Sequence, residues 1–148
     1  MQVYTALTDS NIQWAVYQWV TNNDASLATY GDIQYWDTSK ITNMYQVFGY
    51  HNKNNANNAE WSKTFNGDIS EWNTSQVTSF DYMFYGASSF NGDLSKWNTR
   101  KVTYMNNMFQ YAPAFNGHLS RWDTGRVVNM HHRSMVTYPD GTQERLQI

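Results

Sequence analysis

The residues best placed to do chemistry in this 148-residue chain are a recurring aspartate, a histidine pair and two threonine series. Asp32, Asp68 and Asp93 recur in the motifs GDI, NGDI and NGDL, and stacked carboxylates in glycine-rich turns can hold calcium between successive turns of chain. One carboxylate per repeat is few for a cation that takes many oxygens, and His118 interrupts the series, so turn-forming aspartates are the preferred reading. His131-His132 offers two imidazoles, but adjacent side chains on regular structure point apart and no third ligand fits, so no metal site is expected. Thr38, Thr74, Thr99 and Thr124, with Thr42, Thr78 and Thr103, could order water on a flat face; beside turns their hydroxyls serve the backbone instead. Glu71, Asp81 and Asp93 fall at different repeat positions and form no carboxylate pair for hydrolysis. The chain has no nucleophile elbow or phosphate loop, and no cysteine for thiol chemistry, disulfides or a cysteine-based zinc site. The expectation is a protein that is not an enzyme, with no catalytic residue, cofactor or metal.

What must position these residues is an internal repeat. FNGDISEWNTSQVTSFDYMFYGASS, from Phe65, is followed without a gap by FNGDLSKWNTRKVTYMNNMFQYAPA, from Phe90. Each is 25 residues long; a third copy opens at Phe115, and an earlier one runs from Gly31 to Phe48, displaced by 36 residues because 11 are inserted after Phe48. A fixed period of this size marks stacked repeats, in which equivalent residues lie above one another. The columns are Ile33, Ile69, Leu94, Leu119; Trp36, Trp72, Trp97, Trp122; Ile41, Val77, Val102, Val127; Met44, Phe80, Met105, Met130; Val47, Met83, Met108; Phe48, Phe84, Phe109; and Phe65, Phe90, Phe115. With 7 Trp, 11 Tyr and 7 Phe the core is built of rings and Met.

Within each repeat, Gly67 to Trp72 reads as a short strand after an Asn-Gly turn, and Val77 to Phe84 has helical spacing with Thr78 or Ser79 as its cap. The predicted fold is an α/β repeat solenoid of about four leucine-rich-repeat-like coils, each a strand plus a helical turn, with a right-handed parallel β-helix as the alternative.

Residues 1–30 read as a capping helix and lead-in. Ile12, Ala15, Val16, Trp19 and Val20 share one face of a helix over Thr8 to Asn23, capped by Thr8 or Asp9, that covers the first coil; a groove-binding helix is the other reading. Repeats fill 31–130, with starts near 31, 65, 90 and 115. The insertion 49–64 is Asn-rich and aperiodic, either a spacer or a contact element through His51 and Trp61. In 131–148 the core pair is replaced by Arg133-Ser134, as in a closing cap or a tail.

FNGDISEWNTSQVTSFDYMF, with its W-[ND]-T-S-x-V-T-x-M-x-x-M-F core, resembles the BspA-type repeats of bacterial and protist surface proteins, long filed as a mycoplasma lipoprotein domain of unknown function and related to leucine-rich repeats. ALTDSNIQWAVYQWV and ATYGDIQYWDTSKITNM resemble that family's entry segment, so the likeness covers about Ala6 to Met130. Gly67, Gly92, Gly117, His118, Val128 and Arg133-Ser134 depart from the pattern. The resemblance implies a leucine-rich-repeat-like solenoid used for adhesion or interaction at a surface, and no chemistry.

The face left outward is predicted to carry Gln34, Tyr35, Ser70, Glu71, Ser95, Lys96, Ser120 and Arg121. Tyrosine with mixed charge suits a protein or glycan partner, and a net charge of −2 argues against nucleic acid. No apolar run is long enough to span a membrane, so no membrane insertion is expected. MQVYTALTDSN lacks the regions of a signal peptide, while the resemblance implies the cell surface or secretion. The primary expectation is a binding or adhesion module; the other is a structural subunit that self-associates through the last coil, or packs through its ends or edge.

Overall fold

The computed structural model describes residues 3–49, 60–128, 135–137 and 143–145. Helix α1, Ile12–Thr21, fully buries Ile12, Ala15 and Val16 and packs Trp19 and Val20 against the core. Neither Thr8 nor Asp9 caps it with a side chain as predicted: Asn11 precedes the helix without a side-chain capping bond, and Asp9 bonds elsewhere. A second helix, α2 (Asn23–Tyr30), replaces the expected lead-in. It has no apolar stripe to announce it; Asp24 in its first turn complements the helix dipole, and Gly31, at φ +75°, ends it in a left-handed conformation. A short helix α3, Glu60–Thr64, closes the insertion. Its Trp61 meets Tyr17 of α1 edge-on at 6.1 Å, and the Lys63 carbonyl accepts the N–H of Ser89, which ties it to the second repeat.

The strand-based solenoid, leucine-rich-repeat-like or β-helical, is overturned. Among the described residues of the repeats there is no strand, only isolated parallel bridges joining Asn43, Ser79 and Tyr104. The described strands are β1 (Met135–Thr137) and β2 (Gln143–Arg145), an antiparallel ribbon with Val136 opposite Glu144. The reason lies in the polar residues around each supposed strand. Asp68 and Asp93 accept the N–H of Ser70 and Ser95 at 3.0 and 2.9 Å, and Trp72 and Trp97 then donate back to Ile69 and Leu94. Such side-chain turns draw the backbone away from a ladder; in the first repeat the same stretch is the 3-10 helix Ile33–Tyr35. A second aspartate- or asparagine-based turn follows: Asn73 accepts from Ser75 and Asn98 from Arg100, while Val77 and Val102 close onto Thr74 and Thr99.

The predicted helical turn at Val77 to Phe84 is also a run of short turns, in which Met83, Tyr85 and Ala87 donate to Phe80, Tyr82 and Phe84. Gln46, Tyr82 and Asn107, equivalent in the repeat, all have positive φ (52°, 55° and 52°). This left-handed residue costs about 1–2 kcal/mol each time. It accompanies a run of bonds between repeats: Phe80, Tyr82, Phe84 and Gly86 donate forward to Tyr104, Asn106, Met108 and Gln110 at 2.8–2.9 Å, while Thr78, Thr103 and Val128 donate backward to Thr42, Thr78 and Thr103 at 2.8–3.0 Å. Met44, Gln46 and Phe48 donate forward to Ser79, Asp81 and Met83.

Side chains repeat the same vertical order. Phe48, Phe84 and Phe109 stack at 5.1 and 5.4 Å, nearly parallel, and Phe65, Phe90 and Phe115 at 5.8 and 5.9 Å. The two columns interlock, with Phe84 4.1 Å from Phe90 and Phe109 3.9 Å from Phe115. Trp72, Trp97 and Trp122 are buried, yet their indole N–H groups are satisfied: they donate to the carbonyls of Ile33, Ile69 and Leu94 in the preceding repeat. Thr74 and Thr99 are buried and bond twice across the repeat junction, donating to the carbonyls of Asn98 and Asp123 and accepting their N–H groups. Gly92 and Gly117 lie under the rings of Phe90 and Phe115, where a Cβ would sit 2.8 and 2.6 Å from ring carbons. Met130 and the Arg133-Ser134 pair lie outside the described residues, as does the 131–148 cap or tail apart from β1 and β2.

Candidate functional site

The first repeat has no repeat before it, and the residues ahead of α1 close its edge. Asp9 accepts the N–H of Thr42 at 2.8 Å, the Thr42 hydroxyl at 2.6 Å and the N–H of Asn43 at 3.2 Å. Partial burial pushes the Asp9 carboxyl up, but the three bonds outweigh it and hold the pKa below the ordinary value. Gln13 of α1 donates to the Tyr45 carbonyl at 2.6 Å. This end of the stack is therefore occupied by the chain itself.

Asp32, Asp37, Asp68 and Asp93 are committed to turns, while Asp81 accepts the backbone N–H and side-chain amide of Asn106 in the next repeat. Asp68 and Asp93 are held below the usual carboxylate range chiefly by the backbone and hydroxyl of Ser70 and Ser95, and Asp37 by Ser39. A depressed pKa is the opposite of what a general acid needs. Asp32 bonds the N–H and side-chain amide of Gln34 at 3.4 and 3.2 Å. Among the described residues no three His, Cys, Asp or Glu side chains are grouped to hold a metal ion. The Thr38, Thr74 and Thr99 hydroxyls are buried between repeats, and those of Thr42, Thr78 and Thr103 donate to Asp9 and to the carbonyls of Thr42 and Thr78, so both series bond the chain itself.

The outward residues do fall into register. Tyr35, Glu71, Lys96 and Arg121 are all exposed and occupy one repeat position, with Gln34, Ser70, Ser95 and Ser120 beside them. Tyr35 is 80% exposed. Lys96 hydrogen-bonds Glu71 across the repeat junction, which raises the lysine pKa. An exposed pair of this kind adds little to stability; its effect is to fix a row that reads neutral, negative, positive, positive. At one end the row meets a cleft of ≈ 270 Å³ lined by Tyr4, Tyr30, Tyr35, Asp37 and Lys40. Toward the other end a shallower cleft of ≈ 500 Å³ takes in Ser95, Ser120, Arg121, Asp93 and His118.

The predicted loop contacts fare differently. Trp61 is only 6% exposed and packs inward on α1, because a ring of this size is worth more in the core than in water, so the contact role is corrected for it. His51 lies outside the described residues. A tyrosine series that the sequence reading passed over also emerges: Tyr45, Tyr82, Tyr85 and Tyr111 touch in succession at 5.9, 5.7 and 5.3 Å, and Tyr45 and Tyr111 are 39% and 54% exposed. Two of them, Tyr82 and Tyr111, have positive φ (55° and 59°), a backbone conformation that an apolar pattern does not announce. Burial raises the Tyr45 pKa, with Tyr82 and Asp81 adding to it. No helix among the described residues is long and apolar enough to cross a membrane.

The family model described as Mycoplasma protein of unknown function, DUF285, matches residues 15–143. No curated protein matches, and no solved structure does.

Proposed function

We infer the function of this chain from the premise that it belongs to that mycoplasma family, whose model spans most of its length, and from the surface its repeats expose. The reading is a non-enzymatic module that binds a protein at a cell or particle surface, its repeats being of the BspA type. The observation that carries it is the register of Tyr35, Glu71, Lys96 and Arg121, four exposed side chains at one repeat position flanked by two clefts. Tyrosine and arginine are the residues that most often anchor protein interfaces, and mixed charge along a row selects partner and orientation. The closed first edge, held by Asp9 and Gln13, favours binding through the side of the stack over assembly through that end.

The test uses the immobilised protein against detergent extracts of cell surfaces, beside a Tyr35→Ala/Arg121→Glu double variant. Both residues are exposed, so the variant is expected to fold. The reading expects a partner retained by the wild type and weakened about a hundredfold by the variant, at ~1.4 kcal/mol per tenfold for two anchors. Equal retention by both proteins, or loss of binding when extract glycans are oxidised, would replace it with another surface or a glycan partner.

A further inference from the structure

Tyr35 borders two clefts. The smaller, where the exposed row begins, includes Lys40. The other, of ≈ 540 Å³, shares Tyr4, Tyr30 and Tyr35 with it and adds Leu27, Gly31 and Asp32, with no basic residue in its lining. Local contacts hold the rings in place. The Thr5 N–H donates to the Thr29 carbonyl at 2.8 Å, which fastens the segment carrying Tyr4 to the last turn of α2. Gly31 ends that helix at φ +75°, and a Cβ there would lie 3.1 Å from two carbons of the Tyr4 ring, so the ring rests on backbone that only glycine leaves open. Tyr30 leans on the buried Trp36 at 5.9 Å, while Tyr4 and Tyr35 are both exposed.

We propose that this second cleft binds an alkylated ammonium ion, a ligand carrying a trimethylammonium group. Three features of the lining favour positive charge together with apolar surface. The face of a tyrosine ring is the negative side of its quadrupole, so it attracts a cation while the ligand's methyl groups cover the ring and Leu27. Asp32 supplies a full negative charge. Its bonds, at 3.4 and 3.2 Å, come from the N–H and side-chain amide of Gln34, and neutral donors leave that charge in place. The cleft also lies at the C-terminal end of α2, the negative pole of the helix. An uncharged sugar would gain from the rings and from neither of the other two features; an anion would be repelled by both. The site requires only a small ion, so it stands whether or not the exposed row binds a protein.

The experiment titrates the full chain with choline and, separately, with 3,3-dimethylbutan-1-ol, which has the shape of choline without its charge, at fixed ionic strength. Binding is read by calorimetry and from the methyl proton signals of the ligand. The expected result is saturable binding of choline, with the neutral alcohol about tenfold weaker. Tyr35→Ala should weaken choline about tenfold and Asp32→Asn about fivefold, the asparagine keeping an oxygen for the Gln34 N–H, whereas Tyr35→Phe retains the ring face and should stay close to wild type. Thermal melts check that each variant is folded. A second arm adds vesicles of phosphatidylcholine: cosedimentation assigns the group to a lipid headgroup, and choline binding without cosedimentation assigns it to a soluble ligand. No saturable binding of choline, equal binding of the neutral alcohol, or choline binding unmoved by both Tyr35→Ala and Asp32→Asn would overturn the proposal.

Discussion

Replacing Thr74 with valine removes one oxygen from the middle of the stack and leaves its shape nearly unchanged. Thr74 is 1% exposed, and its hydroxyl donates to the Asn98 carbonyl at 3.1 Å while accepting the Asn98 N–H at 2.9 Å. Valine keeps the volume, so no cavity term enters. It leaves one carbonyl and one N–H of Asn98 facing methyl groups. Each unmet backbone group costs about 1–3 kcal/mol, so Thr74→Val should lose about 2–6 kcal/mol. That is a large part of the stability of a domain this size. Thr74→Ser retains both bonds and gives up a methyl group, worth ~1 kcal/mol. Urea unfolding followed by tryptophan fluorescence should show the valine midpoint well below that of serine, with an unchanged slope. A valine variant within about 0.5 kcal/mol of wild type would refute the claim that this hydroxyl joins the repeats.

Phe84→Ala removes a ring that contacts Phe48, Phe90 and Phe109 at 0% exposure; calorimetry should show a loss of about 3–5 kcal/mol in a single transition. Gly92→Ala forces a methyl group against the Phe90 ring and should cost about 1–3 kcal/mol, measured by urea unfolding. The Asp9 carboxyl has a lower pKa folded than unfolded, so its charge stabilises the fold above the ordinary value of 3.8, and that stabilisation is lost as pH falls through the folded value. Asp9→Asn should accordingly be less stable than wild type at neutral pH, and the gap should close in acid, as read by thermal melts across pH.

How far the sequence could be read depends on which interactions recur. The period of 25 residues locates Phe84 against Phe109 and Phe65 against Phe90 in successive layers, because rings that repeat at one spacing are buried together when the repeats stack. It also brings Tyr35, Glu71, Lys96 and Arg121 to one exposed position. The local backbone was misread. Ile69 and Trp72 look like strand residues, but Asp68 and Ser70 between and before them make a side-chain turn, and a pattern of apolar residues says nothing about that competition. The left-handed Gln46, Tyr82 and Asn107 carry no glycine to mark them, so neither the backbone bonds between repeats nor the tyrosine series beside them could be foreseen. Helix α2 has no apolar stripe to mark it, and the polar residues around Trp61 make the insertion read as a spacer or a contact element where a short helix docks on α1.

The register of the exposed row rests on residues 25 apart lying directly over one another, and a chain without cysteine allows that to be tested cleanly. Glu71→Cys and Lys96→Cys place one thiol on each of two successive repeats, at positions whose native side chains already touch. A disulfide requires Cα atoms within roughly 4.4–6.8 Å of each other. Under mild oxidation the doubly substituted monomer should form an intramolecular crosslink rapidly, seen as a loss of free thiols and a cyclic peptide after digestion. Thiols that stay free under those conditions, or that join only between molecules, would contradict the stacking on which the proposed surface depends.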